Sequence, residues 1–177
     1  VYSSWGQYDK AIENLQQALT ISRKLGKEED IATDIKGIGT VYDHWGKYGK
    51  AIENYQQALT LFRKLGKEDG VASSLQSIGW VYVSWGQYDK AIENYQQALT
   101  LYRKLGNEDG IASSFSSIGR AYESLGQYDK AMESFQQGLA IARRLGEENG
   151  IAVSLNYIGW GYLRWGRYDK ATENFQQ

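Results

Sequence analysis

The sequence repeats itself, and this repeat constrains the fold more than any other feature. The phrase WGQYDKAIEN occupies residues 5–14 and 85–94, and close variants occupy residues 45–54, 125–134 and 165–174. A shift of 40 residues therefore superimposes most of the 177-residue chain on itself. A unit of this size cannot bury its apolar face alone, so neighbouring units must stack. The sequence predicts a repeat array.

Each unit contains two amphipathic helical patterns. The first, called helix B, begins within the repeated phrase, and the second, helix A, ends just before the phrase returns. Both have apolar residues at spacings of three and four, which is the one-faced stripe of a helix. The spacing predicts a helix B at about 88–105 and a helix A at about 109–125, repeated at the same phase. The apolar stripes are Tyr88, Ala91, Ile92, Tyr95, Ala98, Leu99, Tyr102 and Leu105, then Ile111, Phe115, Ile118, Gly119, Tyr122 and Leu125.

Glycine separates the two helices. Gly86 interrupts the pattern between helix A and helix B, and Gly106 follows helix B, where it suits a left-handed cap. Such short connections place neighbouring helices antiparallel. We also expect Gly119 and Ala91 to let two helix backbones approach closely, with Tyr95 filling the space beside them.

Nine positions of the unit carry a family signature: Leu75, Ile78, Gly79, Tyr82, Gly86, Tyr88, Ala91, Tyr95 and Ala98. Their spacing resembles the tetratricopeptide repeat. The unit is longer than the usual one of about 34 residues, and the chain has no proline. It is therefore similar to the long-unit subclass found in Pins/LGN-type polarity adaptors and bacterial signalling arrays. The resemblance implies an all-α, right-handed solenoid of stacked antiparallel helix pairs.

The repeat also sets the expected boundaries of the array. Because the sequence starts and stops inside units, two interpretations stay open: a fragment of a longer array, or head-to-tail or swapped self-association through the incomplete terminal units. We expect a single array over residues 1–177, with units at about 6–45, 46–85, 86–125 and 126–165 and partial units at 1–5 and 166–177.

Composition excludes several classes of protein. The net charge of −1 predicts no general attraction to nucleic acid or to an anionic membrane. No apolar run is long enough for a membrane span, and the start of the chain does not resemble a signal peptide. Cysteine is absent, which is consistent with a reducing compartment. We therefore expect a cytoplasmic protein with no membrane partner.

The sequence offers no catalytic constellation. His44 is the single histidine, and Asp43 beside it does not face it on a helix. Metal sites require clusters of histidine, cysteine or carboxylate, and no phosphate-binding glycine motif is present. We expect a protein that is not an enzyme and has no catalytic residues, metal or cofactor.

Charged pairs mark the helix ends. Basic pairs close each helix B, and acidic residues open each helix A, as the helix dipole favours. The alternative is a basic ladder that contacts an acidic partner or a nucleic-acid backbone. The basic pairs are Arg23–Lys24, Arg63–Lys64, Arg103–Lys104 and Arg143–Arg144.

The resemblance implies that the A helices line a concave groove, which holds an extended peptide or a partner helix. The groove positions also differ most between repeat units. Residues at the same position of successive repeat units form a column, and one such column contains Thr40, Trp80, Arg120 and Trp160. Exposed apolar pairs on such a face mark contact sites. The predicted groove residues are Lys36, Thr40, Asp43, His44, Gln76, Trp80, Val83, Ser116, Arg120, Glu123, Asn156, Trp160, Leu163 and Arg164.

We assign roles to some of these residues. Trp80 and Trp160 are expected to be apolar anchors, although Trp160 has the alternative role of covering a missing neighbour. Arg120 and Lys36 would pair with carboxylates of the ligand, whereas Asp43 and Glu123 would select against acidic residues. A second set of tryptophans recurs just before each A–B turn and is expected to pack over it: Trp5, Trp45, Trp85 and Trp165.

The sequence therefore predicts a non-enzymatic scaffold that binds a peptide or partner helix in its groove. Two alternatives stay open. One is a structural spacer or self-assembling element with an idle groove, and the other is a regulatory array that senses a small molecule or a signal peptide.

Overall fold

The computed structural model describes residues 7–175, and the side chains of residues 7–174. The chain divides into two compact units, Val1–Gln87 (unit 1) and Tyr88–Gln177 (unit 2). No described helix is long and apolar enough to cross a membrane. The helices of unit 1 are α1 (Tyr8–Lys24), α2 (Glu28–His44), α3 (Tyr48–Lys64) and α4 (Glu68–Ser84). Those of unit 2 are α5 (Tyr88–Leu105), α6 (Glu108–Ser124), α7 (Tyr128–Leu145), α8 (Glu148–Arg164) and α9 (Tyr168–Phe175).

These helices confirm the predicted all-α class and the predicted alternation. The odd-numbered helices are B helices and the even-numbered helices are A helices. The helix predicted at 88–105 is α5, and the helix predicted at 109–125 is α6, which begins and ends one residue earlier. Agreement at this level follows from the strict period of the apolar stripe.

The glycines at the helix ends have the predicted left-handed backbone. Gly106 has a φ of 66°. Its N–H donates to the Arg103 carbonyl at 3.2 Å, and the Asn107 N–H donates to the Tyr102 carbonyl at 2.9 Å. These two bonds form a Schellman motif, which satisfies carbonyls that the ending helix leaves open.

At the glycine in the middle of α2 and of α6, the nearest neighbour is an aromatic ring, as predicted for the space beside it. The backbone also comes close at Gly39, where a Cβ would lie 3.3 Å from the Ala51 carbonyl oxygen. In unit 1, a Cβ at Gly39 would lie 2.9 Å from the ring of Tyr55. In unit 2, a Cβ at Gly119 would overlap the ring of Phe135. The glycine therefore makes room for the aromatic side chain of the following B helix, which is only 3% exposed at Tyr55 and 1% exposed at Phe135.

A second fit between an aromatic ring and a glycine lies near the B–A turn, and the sequence reasoning missed it. A Cβ at Gly70 would overlap the ring of Phe62, and a Cβ at Gly110 would overlap the ring of Tyr102. The signal was present in the sequence: Ser22, which has no ring, is followed by Asp30 where the other units have glycine. The signal is partial, because Gly150 is a glycine although Ala142 at the corresponding position has no ring.

We predict that Gly110→Ala destabilises the protein although alanine favours helices. The gain in helix propensity is about 1 kcal/mol, whereas overpacking against the Tyr102 ring costs about 1–3 kcal/mol. Gly150→Ala is the control with a milder contact, since its Cβ would lie 3.1 Å from the Cβ of Ala142 and would meet no aromatic ring. Urea denaturation measures both variants, and equal stabilisation by the two would contradict the ring–glycine fit.

Candidate functional site

The predicted groove residues lie on the A helices of both units. In each unit the two A helices contact each other directly. In unit 1, the Nζ of Lys36 on α2 donates to the Oγ of Ser73 on α4 at 2.8 Å. In unit 2, the Nη1 of Arg164 on α8 donates to the Oε2 of Glu123 on α6 at 3.3 Å. We call these surfaces face 1 (α2 and α4) and face 2 (α6 and α8).

Face 1 contains a polar network around Thr40. The Tyr55 hydroxyl donates to the Thr40 Oγ1 at 3.0 Å, and the Thr40 hydroxyl donates to the Lys36 carbonyl at 3.2 Å. Burial lowers the pKa of Lys36, and the charge of Asp69 opposes this shift. The network ties the groove face of α2 to the aromatic ring that packs against Gly39.

Face 1 also carries Asp43 and His44 at the end of α2. Asp43 is partly buried and His44 is exposed. Burial raises the pKa of Asp43, and the neighbouring His44 lowers it by a smaller amount. The pair is therefore a half-buried acid beside an exposed base.

The groove residues of α4 form the apolar part of face 1. Gln76 and Val83 are partly buried, whereas Trp80 is 44% exposed. Trp80 and Val83 lie three residues apart, so they neighbour each other on the helix surface.

Face 2 repeats this apolar pair on α8. Trp160 is 53% exposed and Leu163 is 37% exposed. Asn156 is also exposed, whereas Ser116 on α6 is partly buried. Large apolar side chains thus reach solvent at equivalent positions of α4 and α8.

The charged centre of face 2 is Glu123. Its side chain is 10% exposed, whereas its partner Arg164 is 62% exposed. Arg120 lies over the Tyr157 ring, with 5.8 Å from its guanidinium carbon to the ring centroid. Burial raises the pKa of Glu123, and the charges of Arg164 and Arg120 lower it by less. Face 2 therefore holds a largely buried carboxylate that pairs with Arg164 and is influenced by the charge of Arg120.

Lys36 and Arg120 also make contacts within the chain. Lys36 donates to Ser73, and Arg120 lies over Tyr157. Their pairing with carboxylates of a ligand stays a prediction. Sequence reasoning missed Tyr157. The available signal was that Tyr157 stands where the other units have a glycine or a serine.

The tryptophans before the A–B turns pack as predicted. Trp45 stacks on Tyr8 with ring centroids 5.6 Å apart, and Trp165 stacks on Tyr128 at 6.0 Å. Trp85 lies 6.1 Å from the Tyr48 ring at a tilted angle. Trp5 lies outside the described residues. Each described turn tryptophan therefore joins the end of a helix A to the start of the preceding helix B.

Some of the basic residues at the ends of the B helices form ion pairs with acidic residues at the starts of the A helices. Lys64 Nζ lies 3.0 Å from Glu28 Oε1 in unit 1, and Arg144 Nη2 lies 2.6 Å from Glu108 Oε2 in unit 2. Both pairs are exposed and contribute little to stability. They give an intramolecular role to charges that otherwise suggest an acidic partner. Within residues 7–175, no group of three His, Cys, Asp or Glu side chains is arranged to hold a metal ion.

Comparison with known proteins identifies the family. A model of the tetratricopeptide repeat matches residues 1–64, 46–104 and 105–177. The chain belongs to the tetratricopeptide repeat family. No curated protein matches this tetratricopeptide array.

Solved structures share the fold of the tetratricopeptide array. BtubC (BKLC) from P. vanneervenii has a TM-score of 0.84 and 24% identity, covering 96% of this chain and 70% of that chain. A putative kinesin light chain from Podosopora anserina has a TM-score of 0.81 and 23% identity, covering 99% and 87%. A Rap protein complexed with Competence and Sporulation Factor has a TM-score of 0.81 and 22% identity, covering 96% and 47%. At these identities the likeness concerns the fold alone.

We predict that Trp80→Ala costs the tetratricopeptide array far less stability than Tyr95→Ala. Tyr95 is 1% exposed, so its truncation leaves a cavity and costs about 3–5 kcal/mol. Trp80 is 44% exposed, and we expect a loss of about 1 kcal/mol, near the range of surface substitutions. Urea denaturation compares the two variants. Equal losses would show that Trp80 belongs to the core.

We predict that Glu123→Gln raises the melting temperature at neutral pH. The raised pKa of Glu123 means that the folded chain disfavours its charged form. Protonation of Glu123 therefore stabilises the folded wild type as the pH falls through the folded pKa towards the unfolded pKa. The advantage of glutamine should shrink over this acidic range. Glu133→Gln on the exposed surface of α7 is the control, and a lower melting temperature for Glu123→Gln at neutral pH would refute this prediction.

Proposed function

We propose that this tetratricopeptide array is a non-enzymatic scaffold whose A-helix faces bind a short segment of a partner protein. One observation carries the proposal. Face 1 exposes Trp80 beside Val83, and face 2 exposes Trp160 beside Leu163. Adjacent apolar side chains that reach solvent usually mark a contact surface, and tryptophan is the commonest binding hot spot together with tyrosine and arginine.

The variation between units supports this assignment. Positions that pack, such as Ala51 and Ala91, keep one residue type because each unit has the same packing problem. The column of Thr40, Trp80 and Arg120 changes chemical type from unit to unit. Random drift on a solvated helix surface would favour small or polar side chains, so exposed tryptophan in this column fits a selected contact.

A protein of similar fold supplies an analogy. This protein is a Rap protein whose structure was solved in a complex with Competence and Sporulation Factor. The present chain covers 47% of that Rap protein, so the likeness concerns the fold, and the proposal for the present chain rests on its own exposed tryptophans. A cytoplasmic location, self-association and the absence of a nucleic-acid partner stay predictions from the sequence.

Selection from a random peptide display library tests the proposal. Peptides selected on the wild-type protein are synthesised, and their dissociation constants are measured by fluorescence anisotropy. We expect Trp80→Ala or Trp160→Ala to weaken binding about 30-fold, which corresponds to a hot spot of about 2 kcal/mol.

Trp85→Ala is the matched control, because Trp85 is 47% exposed but lies at the turn after α4. It should leave the affinity unchanged. Failure to select any peptide would favour the structural spacer, and an equal loss from Trp85→Ala would remove the A-helix faces as the binding surface.

A further inference from the structure

Face 2 contains a buried polar atom that the fold does not satisfy. Among the side-chain nitrogen and oxygen atoms of the described residues, Glu123 Oε1 is the buried atom without a hydrogen-bond partner. The other carboxylate oxygen, Oε2, accepts from Arg164. A buried acceptor without a donor costs free energy, and such an atom in a folded protein requires an explanation.

Packing does not explain the choice of glutamate at this position. The equivalent residues are Asp43 on α2, Val83 on α4 and Leu163 on α8, so the A-helix surface accommodates an aliphatic side chain at two of the three other repeat positions. Replacing a buried ion pair by apolar side chains is often neutral or stabilising. We therefore expect Glu123 to lower the stability of unit 2, and residues that do so are typical of functional sites.

The surroundings of Glu123 limit the chemistry of a ligand. Arg164 donates to its Oε2, and Arg120 is close enough for its charge to act on the carboxylate. With one carboxylate and two guanidinium groups, the local charge is positive, so a cationic donor would be repelled. An uncharged amide N–H satisfies the free oxygen without adding positive charge.

The contact between Arg164 and this carboxylate is weak. The distance of 3.3 Å from Arg164 Nη1 to Oε2 is long for a charge-assisted hydrogen bond, which is about 2.7–2.9 Å. The Arg164 side chain is 62% exposed, so its guanidinium can move into solvent at low cost. Trp160 lies four residues before Arg164, on the same side of α8, so an incoming segment would meet the indole beside the carboxylate.

We propose that Glu123 contacts the ligand directly and that its Oε1 accepts an amide N–H from the bound segment, beside an apolar contact with Trp160. The inference rests on the proposed function and names one polar contact of that site. The donor is a backbone N–H or the side-chain amide of Asn or Gln. Glu123 thereby exchanges folding stability for ligand binding.

A double-mutant cycle between protein and peptide tests this contact. A peptide selected on the wild-type protein, whose affinity falls with Trp160→Ala, is synthesised with each backbone amide N-methylated in turn. A second series replaces each Asn or Gln by Ala. Each peptide is titrated against the wild type, Glu123→Leu and the control Glu133→Gln. Leucine is chosen because the chain itself has Leu163 at the equivalent position, and Glu123→Gln is a second variant that keeps the shape of the side chain.

We expect one modification to weaken binding about ten- to hundredfold on the wild type and on Glu133→Gln. The same modification should have almost no effect on Glu123→Leu. Coupling to an N-methyl group identifies a backbone donor, and coupling to Asn or Gln identifies a side-chain donor. If peptides bind but no modification couples to Glu123→Leu, the inference is wrong and the proposed function stands. If peptides bind face 1 alone, the inference is wrong and the proposed function stands. If no peptide binds either face, both are wrong.

Discussion

In both units, an aromatic ring of helix B lies against a glycine of helix A, and the rest of the architecture depends on this contact. The pairs are Tyr55 with Gly39 and Phe135 with Gly119. A side chain on the glycine would occupy the space of the ring, so the contact fixes both helices of the pair at once. Close-packed interiors tolerate such volume changes poorly. The same contact is needed in each 40-residue repeat, and this explains why the phrase recurs in the sequence.

This packing uses one side of each A helix and leaves another side available for binding. The available sides differ in chemistry between the units. On face 1, Lys36 is held by Ser73 and Trp80 reaches solvent. On face 2, the corresponding contact between A helices is the Glu123–Arg164 pair. A scaffold of this kind separates stability from specificity, because the residues that hold the helices together are not the residues that vary.

Much of the fold was predictable from the sequence because its causes are local and periodic. The apolar stripe predicts where α5 and α6 begin and end, and the glycine at 106 predicts the left-handed cap. The state of Glu123 was not predictable in this way. Its column also contains Val83 and Leu163, and periodicity does not tell how far a neighbouring A helix covers such a position. Its burial, its raised pKa and its contact with Arg164 depend on residues about one unit away in the chain.

The central claim is that repeat positions whose residue type varies bind the ligand, whereas repeat positions whose residue type is constant pack the helices together. The six tryptophans of the chain test it directly, because each indole N–H gives its own signal in a nitrogen–proton NMR spectrum. During titration with a peptide selected on the wild-type protein, the account predicts that the signals of Trp80 or Trp160 shift. The signals of Trp45, Trp85 and Trp165 should stay in place. Shifts confined to these turn tryptophans, with Trp80 and Trp160 unchanged, would contradict it.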